Sequence, residues 1–390
     1  MTGVYISLKN QKDLDIVYQV LRGEITVKDA AFRLQKSYRQ ALRIVEKVRQ
    51  KGILGVKHGN LGKSPANRTD SEFKAKVLKI YQEQYFDYNM THFLEKLLTI
   101  HQIKLSYETF RPWAHEINLV KRRHKNNKPK IHRTRPRMPK SGMLLQLDGS
   151  HHDWFGNGIK CCLVGNIDDA TSTCPYAEFF PGEDRISVLT VMKETIEKFG
   201  VPEYVYLDQA ACNGKDGIFR RNARYSEHIT DLERALLELG CRLLFAPSPQ
   251  AKGRIERMWN TFQDRLIPEL RSAGVKRIPT ANLFLQERFI PEFNRKFSKT
   301  AQQAEQAWRP LTETERSKMV EIFCMREYRK ISMGETVSWN ATTYEVHHDF
   351  NASLRRMTIE IRTYLDGKSK AYYAGREIEL VKSSIQLSAA

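Results

Sequence analysis

The sequence predicts a multidomain fold: N-terminal all-α helix-turn-helix units, a central α/β core with a mixed sheet, and a small all-β barrel at the C-terminus. Three observations carry this. Apolar residues recur at helical spacing as far as residue 118. At Leu144 the pattern changes to three short apolar strands in series, then alternating helices and strands, the order of a mixed-sheet α/β domain. Beyond residue 330, strand-like stretches separated by turn residues follow one another for roughly 50 residues, the size of a small barrel.

A length of 390 residues sets a prior of two or three domains, and a hydrophobic content of 41% is enough for real cores. The division expected is a helix-turn-helix DNA-binding domain at 1–56, a linker at 57–69 and a second helical DNA-binding domain at 70–120. A basic linker at 121–140 leads to the α/β core at 141–275, a helical extension at 276–329 and the β-barrel at 330–390.

The first helix is "KDLDIVYQVLRGE". In "TVKDAAFRLQ", Thr26 and Asp29 have capping-box spacing, and in "SYRQALRIVEKVRQKG" Ser37 and Gln40 repeat it. A tight turn joins these two helices, and the second opens with Tyr38, Arg39, Gln40 and Arg43. That suits a helix-turn-helix whose second helix reads base edges; a plain helical bundle is the alternative. "KHGNLGKSPANRTD" is a linker by composition. In the next helical unit the last helix opens at Ser106, and Pro112, beyond its first turn, should kink or shorten it.

The formal charge of +19 and a pI near 9.6 point to a polyanion, of which nucleic acid is the commonest. More than half of the excess lies in "KRRHKNNKPKIHRTRPRMPK" (121–140), which has ten Lys/Arg, three prolines and no acid, the composition of an extended arm. Lys121, Arg122, Arg123, Arg133, Arg135 and Arg137 are expected to track phosphates; a solvated basic tail is the alternative. No signal peptide opens the chain, no apolar run approaches a membrane span, and six cysteines lack C-x-x-C or zinc-finger spacing. A cytoplasmic protein with reduced thiols and no membrane partner is expected. His151–His152 and Cys161–Cys162 offer zinc-ligand types, but adjacent cysteines on a strand point to opposite faces, which argues against zinc.

In the core, "LLQLDGS" is a strand ending in Asp148, "KCCLVGNID" one ending at Asp168–Asp169, and "YAEFF" a third. "SVLTVMKETIEKFG" is a helix closed by glycine, "EYVYLD" a strand ending in Asp208, "TDLERALLELG" a helix and "CRLLFAP" a strand. "APSPQAKGRIERMWNTFQDRL" (246–266) then launches a helix, with Ser248 as cap, Pro249 in the first turn and Ile255, Trp259, Phe262 and Leu266 as the buried stripe. After a helical stretch near 281–328, "ETVSWN", "TTYEVHH", "MTIEIRTYLDG" and "KAYYAGREIEL" are strand-like, with a hairpin at Asp366–Gly367.

Asp148 and Asp208 each close an apolar strand, where ligands of open α/β sheets gather. Glu256, at the shoulder of the stripe one turn into its helix, is aimed over the sheet edge toward them. Three converging carboxylates suit Mg²⁺ or Mn²⁺, and two such ions about 3.5–4 Å apart can clamp the attacking and leaving oxygens of a phosphodiester. The catalytic and metal-ligating set expected is Asp148, Asp208 and Glu256; the alternative is that each acid is only a turn or cap residue. Asp168 and Asp169 are assigned a turn or structural role, and some of His151, His152 and Asp153 are expected to line the site. Lys252, Arg254 and Arg257 either hold phosphates of the strand being cut or form a solvated helix face.

"LLQLDGSHHDW", "CLVGNIDDAT", "YVYLDQ" and "PSPQAKGRIERMWNTFQDRL" resemble the integrase core of DDE transposases, the ISNCY-type bacterial insertion-sequence transposases above all. The pattern S-P-Q-x-K-G-x-x-E with two upstream aspartates is specific, and the likeness covers most of the chain. It implies an RNase H-like core with Asp148, Asp208 and Glu256 as the triad. It also implies a transposase that binds the terminal inverted repeats of a mobile element, frees a 3′-OH with Mg²⁺ or Mn²⁺, two ions in all, and joins it to target DNA. The partners implied are double-stranded DNA and further copies of the chain, a homo-oligomer on DNA, in bacterial cytoplasm at the nucleoid. One departure is visible: Asp208 and Glu256 lie 48 positions apart, longer than in many integrases, and "QAACNGKDGIFRRNARYSEHIT" is the insertion. A catalytically inactive DNA-binding regulator or assembly factor on the same fold, and a simple RNase H-like nuclease, are the competing readings. The intact acids argue against the first and the multipart DNA-binding front against the second.

Overall fold

The computed structural model describes residues 8–56, 69–118, 135–208, 230–246 and 253–383. The chain divides into two compact units, residues 1–77 and 78–390. In the first, α1 (Leu8–Leu21), α2 (Val27–Arg33) and α3 (Tyr38–Lys51) enclose a core that includes Leu14, Val17, Ala41 and Val45. Both expected capping boxes form. Thr26 Oγ1 accepts from the Asp29 amide and Asp29 Oδ2 from the Thr26 amide, each at 3.2 Å. Ser37 and Gln40 exchange the same pair at 3.3 and 3.1 Å. Each box supplies acceptors for amides that have no intrahelical partner. The linker at 57–68 lies outside the described residues.

Next come α4 (Ser71–Gln84), α5 (Met90–Thr99) and α6 (Tyr107–Glu116). Tyr81 meets Phe93 and Phe110 edge-on, and these two phenylalanines pack tilted, at centroid distances of 4.8–5.4 Å. Ser106 caps α6 as expected, but the helix continues through Pro112 to Glu116. Pro112 and Glu108, the residue four before it, are both exposed, so water can reach the carbonyl that Pro112 leaves without a donor.

The central sheet has the order β3-β2-β1-β4-β5, from β1 (Leu144–His152), β2 (Cys161–Asp168), β3 (Ala177–Phe180), β4 (Tyr204–Asp208) and β5 (Arg242–Ala246). β1, β2 and β3 pair antiparallel, whereas β4 and β5 run parallel to β1, giving the mixed sheet expected. Helix α7 (Arg185–Phe199) and α8 (Asp231–Glu238) share one core with Leu145, Leu147, Cys162 and Val164. Helix α9 (Gly253–Ser272) covers the other face with Cys161, Leu163, Trp154 and Phe179. Cys161 and Cys162 thus face opposite cores. One correction concerns β1, which does not end at Asp148 but runs on to His152, paired with Cys161 on β2. The parallel ladder to β4 is what stops short of Asp148, at Gln146.

Helices α10 (Ile278–Phe284) and α11 (Ile290–Phe297), joined through a π turn at Leu285–Phe289, extend the second core, and α12 (Glu313–Ile322) the first. The chain ends in a nearly closed antiparallel barrel of order β6-β9-β10-β11-β8-β7: β6 (Met325–Lys330), β7 (Thr336–Trp339), β8 (Thr342–His347), β9 (Thr358–Thr363), β10 (Ser369–Tyr373) and β11 (Arg376–Lys382). Asp366–Gly367 turns β9 into β10, with Gly367 at φ +84°. "KAYYAGREIEL" is two strands, not one, folded at Ala374–Gly375, where φ is +47° and +80°. β6 begins inside the stretch expected to be helical, five residues before the expected start of the β-rich part at 330. No helix among the described residues is long and apolar enough to cross a membrane.

Candidate active site

The parallel register of β1 and β4 pairs Leu144 with Tyr204, Leu145 with Val205 and Gln146 with Tyr206. Continued by two residues, that register sets Asp148 level with Asp208 on the neighbouring strand, and the Asp208 backbone pairs in turn with Ala246 on β5. Asp148 is half-buried, and its Oδ2 accepts the indole N–H of Trp259 at 3.1 Å. Glu256 is exposed in the first turn of α9, three residues before Trp259, so the two are neighbours on the helix surface. The expected cap, Ser248–Pro249, and Lys252 lie outside the described residues; the described helix starts at Gly253.

The residue before the stripe is not where the sequence put it. Arg254 is buried, its Nη1 2.6 Å from Asp169 Oδ1 and its Nη2 donating to the Arg135 carbonyl at 3.0 Å. Burial lowers the pKa of its guanidinium, and the Asp169 charge opposes that shift. A side chain committed inside the protein does not face phosphate. Arg254, Met258 and Phe262 are spaced by four and all buried; that period was the signal for its burial. Arg257 is exposed and donates from Nε to the Gly253 carbonyl at 2.8 Å.

Two arginines of the basic arm are likewise engaged, and Lys140 at its end pairs with Glu305. Arg135 pairs with Asp169, and Arg137 Nη1 donates to the Asp169 and Ala170 carbonyls and to Ser172 Oγ at 2.9–3.1 Å. Lys121, Arg122, Arg123 and Arg133 lie outside the described residues. On α3, Tyr38, Arg39, Gln40 and Arg43 are all exposed, and the Gln40 amide oxygen is engaged in the cap.

His151 lies on the opposite face of β1 from Asp148, by strand alternation. There His151 Nε2, Cys162 Sγ and a Glu183 carboxylate oxygen gather within 4.8 Å of one another. Burial pushes the Cys162 thiol pKa up, and the Glu183 charge adds to it. Gly149 makes that approach possible, since a Cβ there would lie 2.4 Å from Glu183 Oε2. His152 stacks edge-on to Trp154, and Asp153 accepts the amides of Asn157 and Gly158, closing the turn after β1.

The sequence reading took Trp259 only as core and passed over Gln146. Gln146 is fully buried between two leucines, its Oε1 accepting the Ile255 amide at 3.1 Å and its Nε2 donating to Asp169 Oδ1 at 2.9 Å. A lone amide inside an apolar strand needs partners, and that was the available signal.

The chain is similar to transposases. It is 29% identical to a protein of Sinorhizobium fredii (strain NBRC 101917 / NGR234) named as transposase y4bF, over 96% of this chain and 81% of that one. It is 30% identical to the transposase for insertion sequence IS1202 of Streptococcus pneumoniae, over 72% of this chain and 67% of that one. No family model matches the sequence. Among solved structures, the magnesium complex of the HTLV-2 integrase catalytic core domain in its dimeric form aligns at 14% identity, over 38% of this chain and 88% of that one, with a TM-score of 0.27. The simian T-cell lymphotropic virus intasome in complex with PP2A regulatory subunit B56 gamma aligns at 12% identity over 74% and 99%, with a TM-score of 0.33.

Proposed function

The chain belongs to the insertion-sequence transposases, and from that membership we propose that it cuts and rejoins DNA at the ends of a mobile element through Asp148, Asp208 and Glu256. The observation that supports the reading is the β1–β4 register: Gln146 pairs with Tyr206, and two residues further along these neighbouring strands stand Asp148 and Asp208, Asp148 bonded to the helix that bears the glutamate. The donor set is three carboxylates, hard oxygen ligands that fit Mg²⁺ or Mn²⁺. Bound there, two such ions supply the charge that stabilises the attacking and leaving oxygens of an in-line displacement.

The chain's own part is binding and orientation. Tyr38, Arg39, Gln40 and Arg43 on the exposed start of α3 read the terminal inverted repeat in the major groove. Lys121, Arg122, Arg123, Arg133, Lys252 and Arg257 hold backbone phosphates. Arg135, Arg137 and Arg254 are left out of that role because their guanidinium groups are engaged around Asp169. Asp168 and Asp169 serve the fold. The partners are double-stranded DNA, as element end and as target, and further copies of the chain, because two ends must be cut together.

Glu256→Gln tests the reading. It keeps the shape and helix of an exposed position while removing the charge a hard cation needs. In a gel assay on a labelled element-end duplex, binding persists while nicking and joining with Mg²⁺ fall at least about 100-fold, the upper end of what losing a mere supporting partner costs. Near-normal nicking by the folded variant removes Glu256 from the site and leaves the regulator or another nuclease as the better reading.

A further inference from the structure

The strand that carries Asp148 and the helix that carries Glu256 are joined by three hydrogen-bonded rungs. On β1, Gln146, Asp148 and Ser150 alternate along one face, and on α9, Ile255, Trp259 and Gln263 are spaced by four along one stripe. Gln146 Oε1 accepts the Ile255 amide N–H at 3.1 Å, Asp148 Oδ2 the Trp259 indole N–H at 3.1 Å, and Ser150 Oγ the Gln263 side-chain amide at 3.2 Å. We propose that Gln146 and Trp259 are positioning residues, which hold the Glu256 helix and the Asp148 carboxylate in the one arrangement that receives a divalent cation. This rests on the catalytic reading of Asp148 and Glu256.

The lower rung fixes where the helix begins. An amide in the first helical turn has no intrahelical acceptor, and a residue just before the helix ordinarily supplies one. For Ile255 the acceptor comes from the sheet, from the residue two before Asp148. The other end of the same Gln146 amide holds Asp169, which also takes Arg254 at 2.6 Å. Residues 254 and 255 are thus each anchored to the sheet, and Glu256 is the next residue out. The anchor acts on the backbone and leaves the Glu256 side chain exposed.

The middle rung fixes the carboxylate. Gly165 is the cross-strand partner of Asp148 on β2. A Cβ at Gly165 would lie 3.1 Å from Trp259 Cη2 and 2.6 Å from Ala177 Cβ, so the glycine is what admits the indole over the sheet. From there the indole, which can only donate, holds one carboxylate oxygen of Asp148. Ligands oriented this way by a neighbour bind metal without first having to be ordered.

The test uses the full chain with two substitutions, Trp259→Phe and Gln146→Met. The first keeps a ring in the core and removes the N–H; the second keeps length and burial and removes both hydrogen bonds of the amide. Three quantities are read: binding of Mn²⁺ by calorimetry with the element-end duplex bound, the Mg²⁺ concentration giving half-maximal nicking, and the thermal midpoint. Both variants are expected to bind the duplex as the parent does. Their Mn²⁺ dissociation constant and their Mg²⁺ requirement should rise about 10- to 100-fold, with nicking partly recovered at high Mg²⁺. A lowered thermal midpoint with unchanged Mn²⁺ affinity and Mg²⁺ requirement makes the rungs structural only and overturns the proposal. If Gln146→Met does not fold, Trp259→Phe decides by the same readings. Glu256→Gln is run alongside. If it loses Mn²⁺ binding and nicking while the two variants match the parent, the positioning role alone falls. If it binds Mn²⁺ and nicks normally, the catalytic reading falls first.

Discussion

Asp168 and Asp169 are adjacent, both fully buried, and differently used. Asp168 accepts the amides of Gly142, Ala170 and Thr171 at 2.6–2.9 Å and the Ser141 hydroxyl at 3.0 Å, so it ties the entry to β1 against the exit from β2. Asp169 gathers Arg135, Arg254, Gln146 and the Met138 amide. Asp168→Ala leaves three amides without their acceptor, each costing about 1–3 kcal/mol where burial is complete. We expect a loss of several kcal/mol in urea unfolding; a variant within about 1 kcal/mol of the parent contradicts the structural role. The turn role of Asp168 was legible because aspartates after an apolar strand favour turns. The partners were not, since Arg135 and Arg254 lie 34 and 85 positions from Asp169. Arg254 was misplaced because a cation beside a stripe looks solvated until an acid is found to meet it.

At the scale of elements, α9 is used along its whole length. Its first half faces β1, and its second half receives α5. Tyr88 donates to the Pro268 carbonyl, Arg265 forms a two-pronged pair with Glu95 at 2.7 and 3.2 Å, and His92 and Lys96 both meet the buried Glu269. Burial alone would raise the Glu269 pKa, but hydrogen bonds from His92 and Lys96 draw it down to about 2. Folding therefore favours the ionised form. The stabilisation is complete above the ordinary value of 4.5 and is lost as the pH falls toward 2. Glu269→Gln should cost about 3–5 kcal/mol at neutral pH, because two donors lose a charged partner in the interior. The gap between variant and parent should close as acid protonates Glu269. Unfolding free energies measured against pH check this, and a gap that stays constant into acid contradicts it. The elements themselves were largely legible: both capping boxes, the glycine end of α7 and the Asp366–Gly367 turn follow from local chemistry. β6 was not, because "MREYRK" carries too many charges to show an apolar alternation. Nor was the α5–α9 contact, which rests on pairs some 170–180 positions apart in the chain.

At the scale of the molecule, DNA affinity should divide by segment. Neutralising Lys121, Arg122, Arg123 and Arg133 should weaken binding to every sequence and flatten its salt dependence. Replacing Arg39 or Arg43 by alanine should reduce preference for the terminal repeat by about 1–3 kcal/mol per base contact. Titrations on the repeat and on random duplex at several salt concentrations separate the two, and equal losses on both duplexes for Arg39 and Arg43 end the recognition role. The order of helices, mixed sheet and barrel was visible from hydrophobic period alone, because each architecture has its own repeat. How residues distant in sequence interlock was not, since period says which face is buried and not what buries it. The three rungs between β1 and α9 show what that interlocking does. Two residues of strand advance about 6.7 Å and four residues of helix about 6.0 Å, so the two scales stay nearly in step over three marks and then drift apart. Among the described residues, the helix is indexed to β1. That indexing predicts that a change of chain length between Asp208 and Gly253 leaves Glu256 in place, whereas one residue added or lost between Ile255 and Gln263 would turn the stripe by about 100° and break the alignment.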